Sequence, residues 1–420
     1  MVKMMPRVLL LLPTTTYRTK AFLDGATKLG VDIVAASERQ STLAAANPST
    51  LMALDFLSPE TSARAVLEFA KNYPIDAVLP VDEDTAVLAA AIAHALGLDH
   101  NSVDSTLAAK NKLLMREALK RAGLSVPRYR QFNLAGDVSR VAAEVAYPCV
   151  LKPLFLSTSR GVMRVDNEDQ FVRAAKRLRV ILGNPVVSRR GGGLAEMALA
   201  EEFIPGAEVA VEGLLTDSHL RVLAIFDKPD PLDGPFFEET IYVTPSRHPV
   251  RIQSAIAEAV EAGARAMGLV RGPIHAELRI NEAGPWIVEI AARPIGGLCS
   301  RTLRFGNGVS LEELILMHAL GLDTKHFERE KAAAGVMMIP IPRHGILSDV
   351  QGVAEGRLVP DVEDITITAH LTQELIPPPE GSSYLGFIFS RAENPSRAEA
   401  ALREAHGKLD FVIEAAAAAV

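Results

Sequence analysis

Apolar residues recur along this chain in two rhythms. Residues 7–12 read as a buried strand, since after Arg7 the run 8–12 is unbroken apolar and closed by Pro13, and residues 18–29 then follow a helical spacing that stops at Gly30. Residues 32–36 read as a second strand, which makes a βαβ unit. A further strand over 77–80 leads into Asp82-Glu83-Asp84-Thr85, and an alanine-rich helix predicted over 85–96 stops at Gly97. Residues 1–105 thus predict a small doubly wound α/β domain. The acidic trio either faces a ligand at the strand end or caps the helix, where the dipole favours negative charge, and the pattern leaves both open.

The next helix is expected over 110–124, closed by Gly123, with an extended segment from Val126-Pro127 onward. A strand over 149–152 runs into Pro153-Leu154-Phe155-Leu156-Ser157-Thr158-Ser159-Arg160-Gly161-Val162. Such a turn can offer backbone N–H groups and a guanidinium to phosphate oxygens, and a plain polar hairpin is the alternative. Arg189-Arg190-Gly191-Gly192-Gly193 lacks the Gly-Lys-Ser/Thr ending of a Walker loop and is expected to be a flexible surface insertion. Alternation resumes after Glu201-Glu202-Phe203-Ile204, and a helix is expected over 251–267, ended by Gly268. From about 326, strands over 336–341, 365–369 and 384–390, a Pro377-Pro378-Pro379 loop and a helix over 395–409 predict an α+β closing domain. The terminal alanine tract reads as a helix end or a tail.

Between these parts, residues 275–293 alternate around a turn at Glu282-Ala283-Gly284. A three-residue loop there places residue 281 opposite 285, 279 opposite 287, and Glu277 opposite Glu289. Like charges directly opposite each other destabilise a sheet unless something offsets them. A divalent cation is the simplest offset, since magnesium takes carboxylate oxygens and keeps sites for water and phosphate. His275 and Arg293 fall on the same face by period two, where both can meet phosphate. The bland alternative is an exposed strand face carrying solvated charge.

At 420 residues the chain exceeds one ordinary core and predicts several domains. With 48% hydrophobic and 23% charged residues and a net charge of −7, it falls in the soluble, enzyme-like class rather than among disordered chains or nucleic-acid binders. Cys149 and Cys299 lack the spacing of a metal knuckle or disulfide framework and read as buried small hydrophobes. The apolar run at 8–12 is too short to span a bilayer and has no cleavage pattern, so a cytoplasmic location is expected, with no membrane partner.

Two lysines, a small-residue loop, the Glu-Glu-Phe-Ile segment and the paired glutamates, in this order, resemble the ATP-grasp superfamily, and within it the carboxylate-amine ligases that include bacterial L-amino acid ligases. The resemblance covers nearly the whole chain and implies an ATP-grasp fold: a pre-grasp domain over 1–105, two grasp subdomains with nucleotide between them over 106–325, and a C-terminal domain over 326–420. There Glu380-Gly381-Ser382-Ser383-Tyr384-Leu385-Gly386-Phe387 is similar to the amino acid ligase tail. The matching positions imply that Lys112 and Lys152 reach ATP phosphates, and that Ser157, Thr158, Ser159, Arg160 and Gly161 form the loop closing over them. They imply that Glu201, with Phe203 and Ile204, meets adenine, while Glu208 takes the ribose hydroxyls. Glu277 and Glu289 match metal ligands for Mg2+ or Mn2+, Arg293 the arginine that gathers transition-state charge, and His275 a residue near the reacting carbonyl.

One departure matters. Many members carry asparagine two residues after the second glutamate, and here that position is Ala291, which puts a full second metal site in question. The implied activity is ATP-dependent joining of a carboxylate to an amine, both small molecules of the amino acid class, with a homodimer as family analogy. Biotin-carboxylase-like, purine-biosynthetic and non-catalytic ATP-binding regulatory readings are the rivals. The hydroxyl loop and the tail favour the ligase branch, and no Met-Lys-Met biotinyl site occurs.

Overall fold

In the computed structural model, which describes residues 5–415, the apolar run at the start becomes the central strand of a parallel sheet. Strands β1 (Arg7–Leu11), β2 (Asp32–Ser37), β3 (Leu51–Ala53) and β4 (Ala77–Pro80) lie in the order β3-β2-β1-β4. Helices α1 (Thr19–Leu29) and α2 (Pro59–Ala70) cross over between them and α3 (Ala86–Leu96) follows β4, and Gly30 and Gly97, both left-handed at φ 65° and 69°, end α1 and α3 where expected. This is the doubly wound unit that the apolar spacing predicts. It ends on β4, whose C-terminal edge carries the acidic trio.

The helix expected over 110–124 is two helices, α4 (Val103–Lys110) and α5 (Lys112–Arg121). Asn111 makes the break: its backbone is extended and its side chain accepts from the N–H groups of Leu113 and Leu114, a cap that restarts the helix in a new direction. A small antiparallel sheet follows in the order β5-β8-β6-β7, built from β5 (Tyr129–Asn133), β6 (Cys149–Pro153), β7 (Met163–Val165) and β8 (Met197–Glu202). Helix Glu168–Leu182 covers its apolar face.

The Arg-Arg-Gly-Gly-Gly segment lies at the surface as expected, but it carries helical structure where a flexible insertion was expected. It closes a helix, Pro185–Gly191, capped by Asn184, and runs into a short 3-10 turn. Gly191 is glycine for packing: a Cβ there would lie 2.3 Å from the ring of Phe155, so the helix end presses on the start of the hydroxyl loop.

The largest sheet has eight antiparallel strands. From one edge they run β13 (Gly284–Ala291), β12 (Gly272–Asn281), β9 (Ala207–Thr216), β10 (His219–Lys228), β11 (Ile241–Thr244), then Ala333–Ile339, Gly386–Ala392 and Val362–Ile367. The strands expected in a closing α+β domain thus extend this sheet across the expected boundary near 325. A side sheet joins Gly345–Gln351 to Glu374–Leu375 and Asp410–Glu414. One face of β9 and β12 packs Val209, Val211, Ile274, Ala276 and Leu278 against helix Val250–Ala266 and α5. Alternation therefore turns Glu208, Glu212, His275, Glu277 and Arg279 to the opposite face. Both cysteines are buried and free, as expected of small apolar residues, and burial pushes the Cys149 thiol up to about 12. No helix among the described residues is long and apolar enough to cross a membrane. The terminal alanine tract lies, apart from its first residue, outside the described residues.

Candidate active site

Glu277 does pair with Glu289, though by a different route from the expected loop. The turn has two residues, Glu282 and Ala283, because Asn281 pairs with Gly284 and its Oδ1 accepts from the N–H of Ala283 at 3.0 Å and from Trp286 Nε1 at 3.1 Å. That shorter loop moves the register by one, so Arg279 faces Trp286 rather than residue 287. A bulge then adds Val288 between Ile287 and Glu289 and restores the pairing of the two glutamates.

Around this pair lies a cleft of about 1340 Å³, open solvent included, between the small and the large antiparallel sheets. Lys112, at the start of α5, donates from Nζ to the Leu156 carbonyl at 2.8 Å and stands 3.4 Å from Glu289 Oε2. Burial opposes the charge of Glu289, yet Lys112 and Arg293 hold its carboxyl below the ordinary range. Glu83, the middle residue of the acidic trio, reaches into the same place: its Oε2 lies 3.4 Å from an Arg293 nitrogen. Burial and the neighbouring Glu289 raise its pKa. The trio is therefore divided, since Asp84 instead pairs with Lys110 at 3.4 Å and with Arg190.

Lys152, next to last in β6, has its ammonium 2.6 Å from Glu201 Oε2. Burial pulls its pKa below the ordinary lysine range against the pull of that carboxylate. Glu201 is only 2% exposed, and Arg116 takes its other oxygen at 2.7 Å. Although burial pushes the other way, Arg116 and Lys152 hold the Glu201 carboxyl at about 2. Glu201 is thus paired with two cations while lining the cleft. Beside it, Pro127, Val150, Phe203, Ile204, Leu232 and Phe237 form an apolar wall of the cleft.

Glu208 is also occupied. Cross-strand pairing sets it between Lys228 on β10 and Arg279 on β12, at 2.8 Å and 3.0 Å. Glu208, Glu239 and Glu277 bring carboxylate oxygens within 4.8 Å of one another, spacing that could hold an ion. Lys228 already stands among them, at 2.8, 2.5 and 3.5 Å. Burial opposes its charge, but the three carboxylates hold its pKa well above the ordinary value. An ammonium thus stands among the three carboxylates. Arg279 also donates to the Ile204 carbonyl at 3.0 Å and lies over the Phe203 ring, which fixes the linker between β8 and β9.

His275 is 5% exposed, with Nδ1 3.2 Å from Glu212 and Nε2 3.6 Å from Glu277. Glu212 is wholly buried and accepts from the N–H of Ile295, so this row ties the hairpin to the Gly296-Gly297 segment lining the cleft. In the hydroxyl loop, Ser157, Thr158 and Ser159 line the cleft, and Thr158, Ser159 and Gly161 have left-handed backbones at φ 56°, 54° and 76°. Arg160 turns away and donates from Nε to the Glu380 carbonyl at 2.8 Å. Arg116, Lys228, Glu239, Arg279 and Glu83 are the site residues that pattern reading missed or left open. Glu83 stood in the acidic trio at a strand end, Arg279 shares the period-two face of Glu277, and Arg116 lies one helical turn after Lys112, whereas Lys228 and Glu239 carried no such signal.

The donor set suits a nucleotide and a divalent cation. Two carboxylates stand on neighbouring strands, and three cationic side chains, Lys112, Lys152 and Arg293, line the same cleft.

Comparison with known proteins gives the family. Residues 23–100 match the ATP-grasp N-terminal domain, 145–302 the ATP-grasp domain, and 337–414 the L-amino acid ligase C-terminal domain 2. The alanine–anticapsin ligase of Bacillus subtilis is 26% identical over 269 residues, 61% of this chain and 56% of that protein. The D-alanine–D-alanine ligase of Aromatoleum aromaticum is 32% identical over 177 residues, 41% of this chain and 52% of that protein. The chain therefore spans little more than half the length of these relatives. The L-amino acid ligase of Bacillus licheniformis superposes with a TM-score of 0.82 at 24% identity, covering 97% of this chain and 99% of that one, and shares the fold. The chain belongs to the ATP-grasp superfamily of ligases and carries the C-terminal domain of the L-amino acid ligases.

Proposed function

We propose that this enzyme joins the carboxylate of one amino acid to the amine of another, consuming ATP and releasing ADP and phosphate. The observation that carries this reading is the pairing of Glu277 with Glu289 beside Lys112, Lys152 and Arg293 in one cleft. Glu277 and Glu289 would hold Mg2+ or Mn2+, which when bound neutralises phosphate charge and orients the γ-phosphoryl group. The pairing of Glu289 with Lys112 and Arg293 keeps it ionised and ready to accept a cation.

The rest follows from the side chains. Lys112 and Lys152 offer point charges to phosphate oxygens, and Lys152 is aimed by Glu201. The substrate carboxylate attacks the γ-phosphorus, an acyl phosphate forms as ADP leaves, and the amine then attacks the acyl carbon and expels phosphate. Arg293, turned inward by Glu83, gathers charge on the transferring group. His275, held between Glu212 and Glu277, lies beside the carboxylate pair and orients the substrate end of the cleft. Acyl phosphates hydrolyse readily, so the 157–161 loop excludes water. Ala291 offers no side-chain oxygen, and further ion contacts come from phosphate and water.

Phosphate release with ATP, magnesium and either single amino acids, amino acid pairs or bicarbonate tests the reading. Release only with amino acids, accompanied by a dipeptide of matching mass, is the expected result. Release only with bicarbonate points to carboxylase chemistry, and no release with any mixture points to a regulator. Glu289→Gln should reduce turnover at least about a hundredfold with the fold intact. Wild-type turnover in that variant removes the metal assignment.

A further inference from the structure

Arg116 is a guanidinium buried to 1% exposure that none of the steps above requires to touch substrate. Its contacts point two ways. Nε donates to Glu201 Oε1 at 2.7 Å and one terminal nitrogen to Glu201 Oε2 at 3.2 Å, a bidentate grip on the small sheet. The same terminal nitrogen donates to the backbone carbonyl of Val288 at 2.8 Å, on the edge strand of the large sheet. Val288 is the extra residue of the bulge.

That bulge decides where Glu289 points. With the two-residue turn and no bulge, Val288 would face Glu277, and Glu289 would move one place along and turn to the other face of the sheet. A bulged residue leaves the ladder, and the Val288 carbonyl needs a donor from elsewhere. Arg116 is that donor.

We propose that Arg116 is a positioning residue that locks the Val288 bulge, and so keeps Glu289 on the face it shares with Glu277, while its grip on Glu201 aims Lys152. The inference rests on the reading of Glu277 and Glu289 as cation ligands. It assigns one residue to setting both the cation ligand and the phosphate lysine from opposite walls of the cleft. Lysine cannot replace it, because a single ammonium lacks the planar fork that spans a carboxylate and a carbonyl in fixed directions.

The test uses the full chain as wild type, Arg116→Lys, Arg116→Met and Glu201→Gln. Hydrogen exchange of the 284–291 amides is read without metal or nucleotide, and Mn2+ binding is titrated beside a non-hydrolysable ATP analogue. Both Arg116 variants should exchange that strand faster than wild type and weaken Mn2+ binding about tenfold or more, with lysine giving no rescue. Glu201→Gln keeps the Val288 bond and should leave strand exchange at the wild-type rate even if nucleotide binding weakens. Wild-type exchange and Mn2+ affinity in both Arg116 variants would overturn the proposal, as would equally fast exchange in Glu201→Gln. A wild-type chain that binds no Mn2+ with nucleotide overturns the underlying cation reading. In that case exchange of the strand still decides whether Arg116 holds the bulge.

Discussion

Single side chains show where pattern reading works and where it stops. The glutamate pair was legible because period-two alternation and a turn signal together constrain register. Even so, the expected three-residue loop is a two-residue turn followed by a bulge, and the two differences cancel at Glu277 and Glu289. Glu83 shows the opposite limit. Its neighbours in sequence are acidic too, and nothing local separates a cap from a site residue. Only the packing of β4 against the cleft sends Glu83 to Arg293 and Asp84 to Arg190 and Lys110. Glu83→Gln should therefore lower kcat about tenfold, because Arg293 loses the charged partner that orients it. Asp84→Asn should leave steady-state rates near wild type, since its ion pairs are partly exposed and worth little. Equal losses in the two variants would mean that the acidic cluster acts as a whole through the field it creates and not through the Glu83–Arg293 contact.

At the scale of elements, helices with glycine stops were readable and elements defined by packing were not. Gly30, Gly97 and Gly268 end helices as expected, whereas Gly191 resembles a loop residue but is small because Phe155 needs the space. The hydroxyl loop likewise looked self-contained, yet it is docked on the tail. The Gly161 N–H donates to the Pro379 carbonyl at 2.8 Å, Arg160 to that of Glu380, and Arg177 grips the Glu380 carboxylate at 2.5 and 2.7 Å. If this loop shields an acyl phosphate, the tail sets how tightly it stays shut. Glu380→Ala removes the Arg177 pair but keeps the backbone bonds, so the expected effect is modest. Phosphate released per amide formed should rise a few-fold, in line with the roughly 1 kcal/mol of a half-exposed ion pair. Measuring phosphate and amide in the same reaction checks it. An unchanged ratio with lowered total rate would place Glu380 outside the control of water entry.

Across the whole molecule, local signals could identify strands but not their partners. Pairing between Ile241–Thr244 and Ala333–Ile339 joins segments nearly a hundred residues apart, and no short-range feature of either announces it. That pairing makes the large sheet continuous from the glutamate hairpin to the C-terminal strands. The core agrees with the sheet, because Val8 and Leu10 of the first strand share one apolar cluster with Ala210, Phe226, Phe387 and Phe389. The C-terminal segment is thus a continuation of the cleft's floor, and it contributes Met338, Tyr384 and Phe387 to the lining. Excised as residues 326–415, it would expose the edge of Ala333–Ile339 that β11 covers, together with the faces of Phe387 and Phe389. The fragment should be insoluble or unfolded, and in the intact chain this segment should melt in the same transition as the 207–291 strands. Differential scanning calorimetry of the intact chain, read beside circular dichroism of the fragment, separates the cases. A fragment with its own cooperative melt would show that the shared sheet is a docking contact between independent domains, and that the tail's hold on the hydroxyl loop could be released without unfolding the cleft.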